Sequence, residues 1–286
     1  MGLLNVVAEV GAVVAGLHVL AAVLVVGPDR LRAAPRRIRA NLSAVAPALA
    51  VLGIVLALNR VVRDAGVELS WIIGLNITGW IHAVEGEFIA VLQSVSLPAL
   101  TAYFGFIYVF GYVFLLTFPL LAYLLHDEPR PLRVLLVTYV LNYALGLVCY
   151  VTFVAYGPRN FMPELVGSLL FTHWPQSQLL TAQVNVNTNV FPSLHASLST
   201  TVALLAHRFR HVYPRWRPVA AVLAASIALS TMYLGIHWLT DVLAGVALAA
   251  ATVAAATRVA ADGNRGGRGG TDSGTERLSR NTGRWR

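Results

Sequence analysis

Residues 99–125 read ALTAYFGFIYVFGYVFLLTFPLLAYLL, an apolar run without one charged side chain. A helix rises about 1.5 Å per residue, so a run of this length crosses the roughly 30 Å hydrocarbon layer of a bilayer. In that layer a helix satisfies its own backbone hydrogen bonds. The run stops at His126-Asp127-Glu128-Pro129-Arg130, and a second apolar run, 132–155, follows at once. The composition of the whole chain agrees with a bilayer as solvent: 57% hydrophobic residues, 12% charged, and a mean hydropathy of +0.68.

Outward from this pair, further runs lie at 5–27, 42–62, 193–209, 217–236 and 239–258. The predicted fold is therefore all-α, a polytopic membrane helical bundle of about seven transmembrane helices. The first run carries Glu9 and has no basic residues ahead of it, unlike a secretory leader, and is read as a retained span. Residues 64–98 mix Trp71, Trp80, His82, Glu85 and Glu87 with apolar residues, and are read as interfacial. Glu85 and Glu87 are assigned to a solvated face. Three regions are expected: spans and a basic loop over 1–59, a catalytic membrane domain over 60–258, and a basic tail over 259–286. From Asp262 onward the tail has too few apolar residues to bury and is expected to be disordered.

All 21 basic residues are arginine. Eighteen follow the first, third, fifth and seventh runs, leaving Arg60, Arg63 and Arg159 for the other side. Because basic residues concentrate in cytoplasmic loops, this distribution predicts an outside N-terminus and an inside C-terminus. The net charge of +8 is split into short blocks by apolar runs, which excludes nucleic acid as a partner and favours anionic membrane lipids. The single cysteine, Cys149, excludes an intramolecular disulfide and a cysteine metal cluster.

Polar residues at membrane depth are costly and mark function. Three polar segments fall at span ends predicted to face outside: Tyr156-Gly157-Pro158-Arg159-Asn160, Phe191-Pro192-Ser193-Leu194-His195-Ala196-Ser197, and Ser230 to Asp241. In the last, His237 and Asp241 stand four residues apart and share a face if a helix opens there. The aspartate can then fix the imidazole tautomer and leave the other ring nitrogen free to attack. In the middle segment, free N–H groups at a helix start suit a phosphate-like anion, Ser193 adds a hydroxyl, and His195 can protonate a departing alkoxide. The loop residues His173, Trp174, Gln176, Gln178, Gln183, Asn185, Asn187 and Asn189 could meet hydroxyl-rich headgroups. Asn76-Ile77-Thr78 forms a glycosylation sequon.

Pro192-Ser193-Leu194-His195, followed by Ser230 and by His237-Trp238-Leu239-Thr240-Asp241, resembles the second and third signatures of the type 2 phosphatidic acid phosphatase superfamily. The fuller segments are most similar to the branch of inositol phosphorylceramide synthases and related inositolphosphotransferases, over roughly residues 60–255. The resemblance implies His237 as a nucleophile forming a phosphohistidine, Asp241 as its orienting partner, and His195 as the acid for the leaving group. It implies phosphate binding by Arg159, Ser193 and the backbone at Leu194. The chain departs from the fuller pattern in having no lysine, in Asn160 after Arg159, in Leu194 for a glycine and in Thr231 for an arginine. The implied partners are a lipid phosphate substrate and a water or alcohol acceptor, without a metal or other cofactor. Water would make a phosphatase and a lipid or inositol hydroxyl a phosphotransferase, toward which the branch resemblance leans. A non-catalytic lipid-binding or transport protein is the alternative from another class.

Overall fold

The computed structural model describes residues 2–182 and 190–266, with side chains except those of 63–67 and 261–266. Gln183, Asn185, Asn187, Asn189, the Arg63 side chain and tail residues 267–286 lie outside the described residues. Among the described residues the fold is all-α but for one two-residue parallel pair, β1 (Leu75–Asn76) with β2 (Phe153–Val154).

The long helices follow the apolar runs. α1 (Leu3–Ala21) continues through a wider turn to Val26, and after short α2 (Pro28–Arg32) comes α3 (Ala34–Ile73). Thus α3 extends beyond the predicted second span into the stretch read as interfacial; Pro47 within it does not end it. α4 (Thr78–Glu85) and α5 (Phe88–Ser94) form the rest of that stretch. α6 (Pro98–Phe106) and α7 (Tyr112–Leu124) make one rod joined by a π-helical turn, Ile107–Gly111, and α8 is Arg130–Thr152. Short helices α9 (Pro158–Phe161), α10 (Leu169–His173) and α11 (Ser177–Thr181) precede α12 (Leu194–Arg208), α13 (Trp216–Tyr233) and α14 (Leu239–Gly266). The helical part of the tail thus reaches Gly266.

Among the described residues five segments are long and apolar enough to cross a membrane: Leu3–Val26, Ala34–Val62, Pro98–Leu124, Arg130–Thr152 and Leu239–Ala260. The predicted fifth and sixth spans, α12 and α13, are the shorter ones, with 15 and 18 residues. At about 1.5 Å per residue, α12 reaches only about 22 Å, less than a hydrocarbon layer. It has no need of a lipid-facing apolar surface all round, because α7, α8, α13 and α14 pack around it. Elsewhere the exterior carries large apolar side chains, such as Val19 at 67%, Ile54 at 60% and Leu243 at 59% exposed. A bilayer covers such a surface and water does not, so the chain is an integral membrane protein.

Lipid tails are as apolar as leucine, so packing and polar contacts hold such a bundle together more than burial from water does. Phe114, Phe118 and Trp216 interlock, with Phe118 and Trp216 ring centroids 4.7 Å apart. A polar knot ties α8, α12 and α14. The Asn142 amide donates to Thr138 O, Thr201 Oγ1 and Thr252 Oγ1, while its Oδ1 accepts from Ser197 Oγ. All of these residues are buried. The knot fixes α12, and therefore the turn that opens it, against both neighbours.

Candidate active site

The site assembles at one end of the bundle from three turns. α12 opens at Ser193, whose Oγ accepts the Ala196 N–H as an N-cap. The Ser193 N–H donates to Asp241 O at 3.0 Å, which ties this opening to α14. Leu194 turns its side chain onto Gly146 of α8. The His195 N–H has no acceptor among the described residues, so the start of α12 retains a donor for an anion. Ser193 is fully buried, and the His195 ring lies between Tyr108 and Tyr112, at 4.7 and 4.3 Å between centroids. These tyrosines come from the π-helical turn and the start of α7.

His237 does not share a helix face with Asp241, as the spacing suggested. α14 begins at Leu239, so His237 lies in the turn ahead of it and Asp241 in its first turn. The two still meet: His237 Nδ1 is 3.4 Å from Asp241 Oδ2, which also accepts the Trp238 N–H at 2.9 Å. That second bond is the carboxylate half of a capping box, holding the aspartate where it can reach back to the imidazole. Asp241 is fully buried, and its Oδ1 has no hydrogen-bond partner among the described residues.

Arg159 in α9 is brought to the same turn by its backbone, the Arg159 N–H donating to Gly235 O at 3.1 Å. Two glycines permit the approach. Gly235 has φ +70°, a left-handed conformation, and a Cβ on Gly157 would lie 2.4 Å from Ile236 O. The Arg159 guanidinium rests on the Phe171 ring at 4.7 Å, and its buried Nη1 has no hydrogen-bond partner among the described residues. Burial also lowers its pKa. The His195 and His237 ring centroids are 6.2 Å apart. Burial, with the nearby Arg159 charge adding to it, lowers the His237 pKa to about 3, against a hydrogen bond to the Val190 backbone that raises it. His237 is therefore neutral at ordinary pH, the form able to attack phosphorus.

The structure thus gathers His237, Asp241, His195, Ser193, Leu194 and Arg159 at one end. It corrects the reading of Glu85 as a solvated residue. The Glu85 carboxylate accepts the N–H groups of Leu239 at 2.9 Å and Thr240 at 2.5 Å, capping α14 from 154 and 155 residues away. With Asp241 on the Trp238 N–H, the start of α14 is filled by carboxylates, whereas the start of α12 keeps the His195 N–H for an anion. Gln93 is a second residue without a sequence signal. Its amide bonds to both Gly167 N and O and to Tyr233 O, fastening the end of α13 just before Gly235. Thr78 of the sequon is buried and accepts the Tyr156 N–H.

Glu85→Ala is expected to destabilise the protein by about 1–2 kcal/mol through loss of the cap, and Glu85→Gln by less because one acceptor survives. Thermal unfolding in detergent measures this; an unchanged midpoint in Glu85→Ala would mean that the cap does not hold α14.

A family model of the PAP2 superfamily matches residues 79–255, and the chain belongs to that superfamily. The matched stretch contains Glu85, Gln93, Arg159, Ser193, Leu194, His195, His237 and Asp241. Membership supports phosphatase- or phosphotransferase-type chemistry at that coarse level. Neither a comparison with curated proteins nor one with solved structures gives a significant match.

Proposed function

We propose that the protein transfers phosphoryl groups from lipid phosphates or phosphodiesters through a phosphohistidine at the extracytoplasmic membrane face. The observation that carries this is a buried His237 in contact with Asp241, in the turn to which the Arg159 backbone is tied, with the His195 ring 6.2 Å away. The remaining imidazole nitrogen of His237 attacks phosphorus, an N–P bond forms, and the P–O bond to the leaving group breaks. His195 gives that oxygen its proton. An acceptor hydroxyl then returns a proton to His195 as its oxygen attacks phosphorus and the N–P bond breaks. Arg159 and the start of α12, with Ser193 and the backbone at Leu194 and His195, hold the phosphoryl oxygens. The motif resemblance favours an inositol-like hydroxyl as acceptor, and the arginine asymmetry favours the outer face.

One assay tests acceptor and side together. Sealed right-side-out vesicles receive an impermeant short-chain phosphatidic acid, a phosphomonoester donor, with and without inositol. Phosphoinositol product without permeabilisation is expected. Free phosphate or hydrolysed headgroup alone would replace transfer with hydrolysis, activity only after permeabilisation would invert the topology, and no turnover of any lipid phosphate would favour a non-catalytic lipid-binding role.

A further inference from the structure

α12 carries His195 as its second residue and Arg208 as its last, so its far end lies about 20 Å from the histidines at 1.5 Å per residue. There a cavity of about 500 Å³ opens between the start of α8, the end of α12, the turn after it, and α14. Its rim carries Arg130, Arg208 and Arg210, and no carboxylate lines it. At this end Arg37 pairs with Asp127 at 2.5 Å and Arg32 with Asp29 at 3.1 Å, while Arg30, Arg133 and Arg215 donate to backbone carbonyls. Among the described residues, none of the three rim arginines makes an ion pair. Arg210 uses one guanidinium nitrogen on His207 O at 3.5 Å, and its other donors are left over. Arg130 is also the first residue of the 23-residue α8, where the helix dipole adds positive potential.

Guanidiniums gathered without a counter-ion favour an anion with several oxygens. The cavity wall decides which kind. Leu204 and Val253 line it, and Leu204 is 37% exposed on the flank of α12. A ligand that spans a cationic rim and an apolar flank at a membrane boundary is an amphiphile. We infer that this cavity is a discrete site for the phosphodiester headgroup of an anionic lipid, separate from the histidine site and occupied from the opposite membrane face.

Phosphatidylglycerol is the probe, with affinity read by native mass spectrometry of the full-length, delipidated protein in detergent. Phosphatidylcholine and inorganic phosphate serve as comparisons. Arg208→Ala/Arg210→Ala is expected to weaken phosphatidylglycerol binding by about tenfold or more, given the contribution of each basic residue near anionic lipid. The charge-matched Arg36→Ala/Arg39→Ala, from the same end of the bundle, should change it less than about twofold. Equal loss in both pairs would reduce the effect to diffuse surface charge and overturn the site, as would no loss in either. Loss confined to Arg159→Ala would assign the bound lipid to the histidine site instead. Displacement by millimolar inorganic phosphate, or equal binding of phosphatidylcholine, would also overturn a headgroup site. Should the arginine pair prevent folding, Leu204→Trp obstructs the same cavity from its apolar side and is expected to give the same selective loss.

Discussion

His237→Ala is expected to abolish turnover, by at least about 10⁴-fold, and to abolish labelling of the protein by a substrate carrying radioactive phosphorus. In the unsubstituted protein, rapid acid-free quenching should trap the label on His237, because a phosphoramidate survives alkali better than acid. Asp241→Asn should lose about 10³-fold while still labelling the same residue slowly, since it keeps the nucleophile and weakens control of its tautomer. Label recovered on any residue other than His237 would overturn the covalent mechanism. So would full labelling of His237→Ala.

The environment of His237 adds a pH signature. With its pKa depressed to about 3 by burial and by the Arg159 charge, the free protein holds it neutral from mild acid upward. The nucleophile is the deprotonated form, so activity that depends on it is present above this pKa and lost as pH falls through it. For a phosphodiester with an activated leaving group, kcat/KM should therefore stay flat through about pH 6.5, where an unperturbed histidine titrates. Arg159→Gln removes one of the two depressing causes, so its acid limb should move upward in pH as its overall rate falls. An unmoved limb would separate Arg159 from His237.

Helix lengths and the identity of the chemical groups were legible because each rests on a local pattern. Apart from α3 and the far end of α14, which run well past their apolar stretches, the apolar runs marked the long helices to within a few residues, and Pro-Ser-x-His and His-x-x-x-Asp marked the two turns that converge. The geometry of the second pair was not legible. A four-residue spacing means one helix face only if both residues are helical, and α14 starts between His237 and Asp241. Their contact comes from a turn and a capping carboxylate. Glu85 and Gln93 were opaque for a different reason. Their partners are backbone groups 74 to 155 residues away, which every residue possesses and which leave no trace in side-chain pattern. The Tyr108/Tyr112 pair is intermediate. Both tyrosines lie inside the apolar run 99–125, and only tertiary packing reveals that they meet His195. The same packing explains why α12 could be shorter than a bilayer, since its neighbours and the Asn142 knot supply what lipid would otherwise have to accept.

His195→Ala is expected to show a loss that depends on the leaving group. An alkyl or glyceryl alkoxide leaves poorly unless it is protonated in the transition state, and a positioned general acid supplies about 10²–10⁴-fold. With such a lipid ester His195→Ala should lose activity over that range. A nitrophenolate departs as a stable anion and needs little protonation, so the same variant should lose less than about tenfold on a nitrophenyl ester. His237→Ala and Asp241→Asn should not be rescued in this way, because the nucleophile and its orientation are required whatever leaves. The two tyrosines give a second control: Tyr108→Phe and Tyr112→Phe retain the rings beside His195 and should preserve the ratio between the two substrates. The measurement is kcat for both substrates in each variant. Equal losses for His195→Ala on the two esters would remove it as the acid and leave it as a residue that binds phosphate or shapes the start of α12.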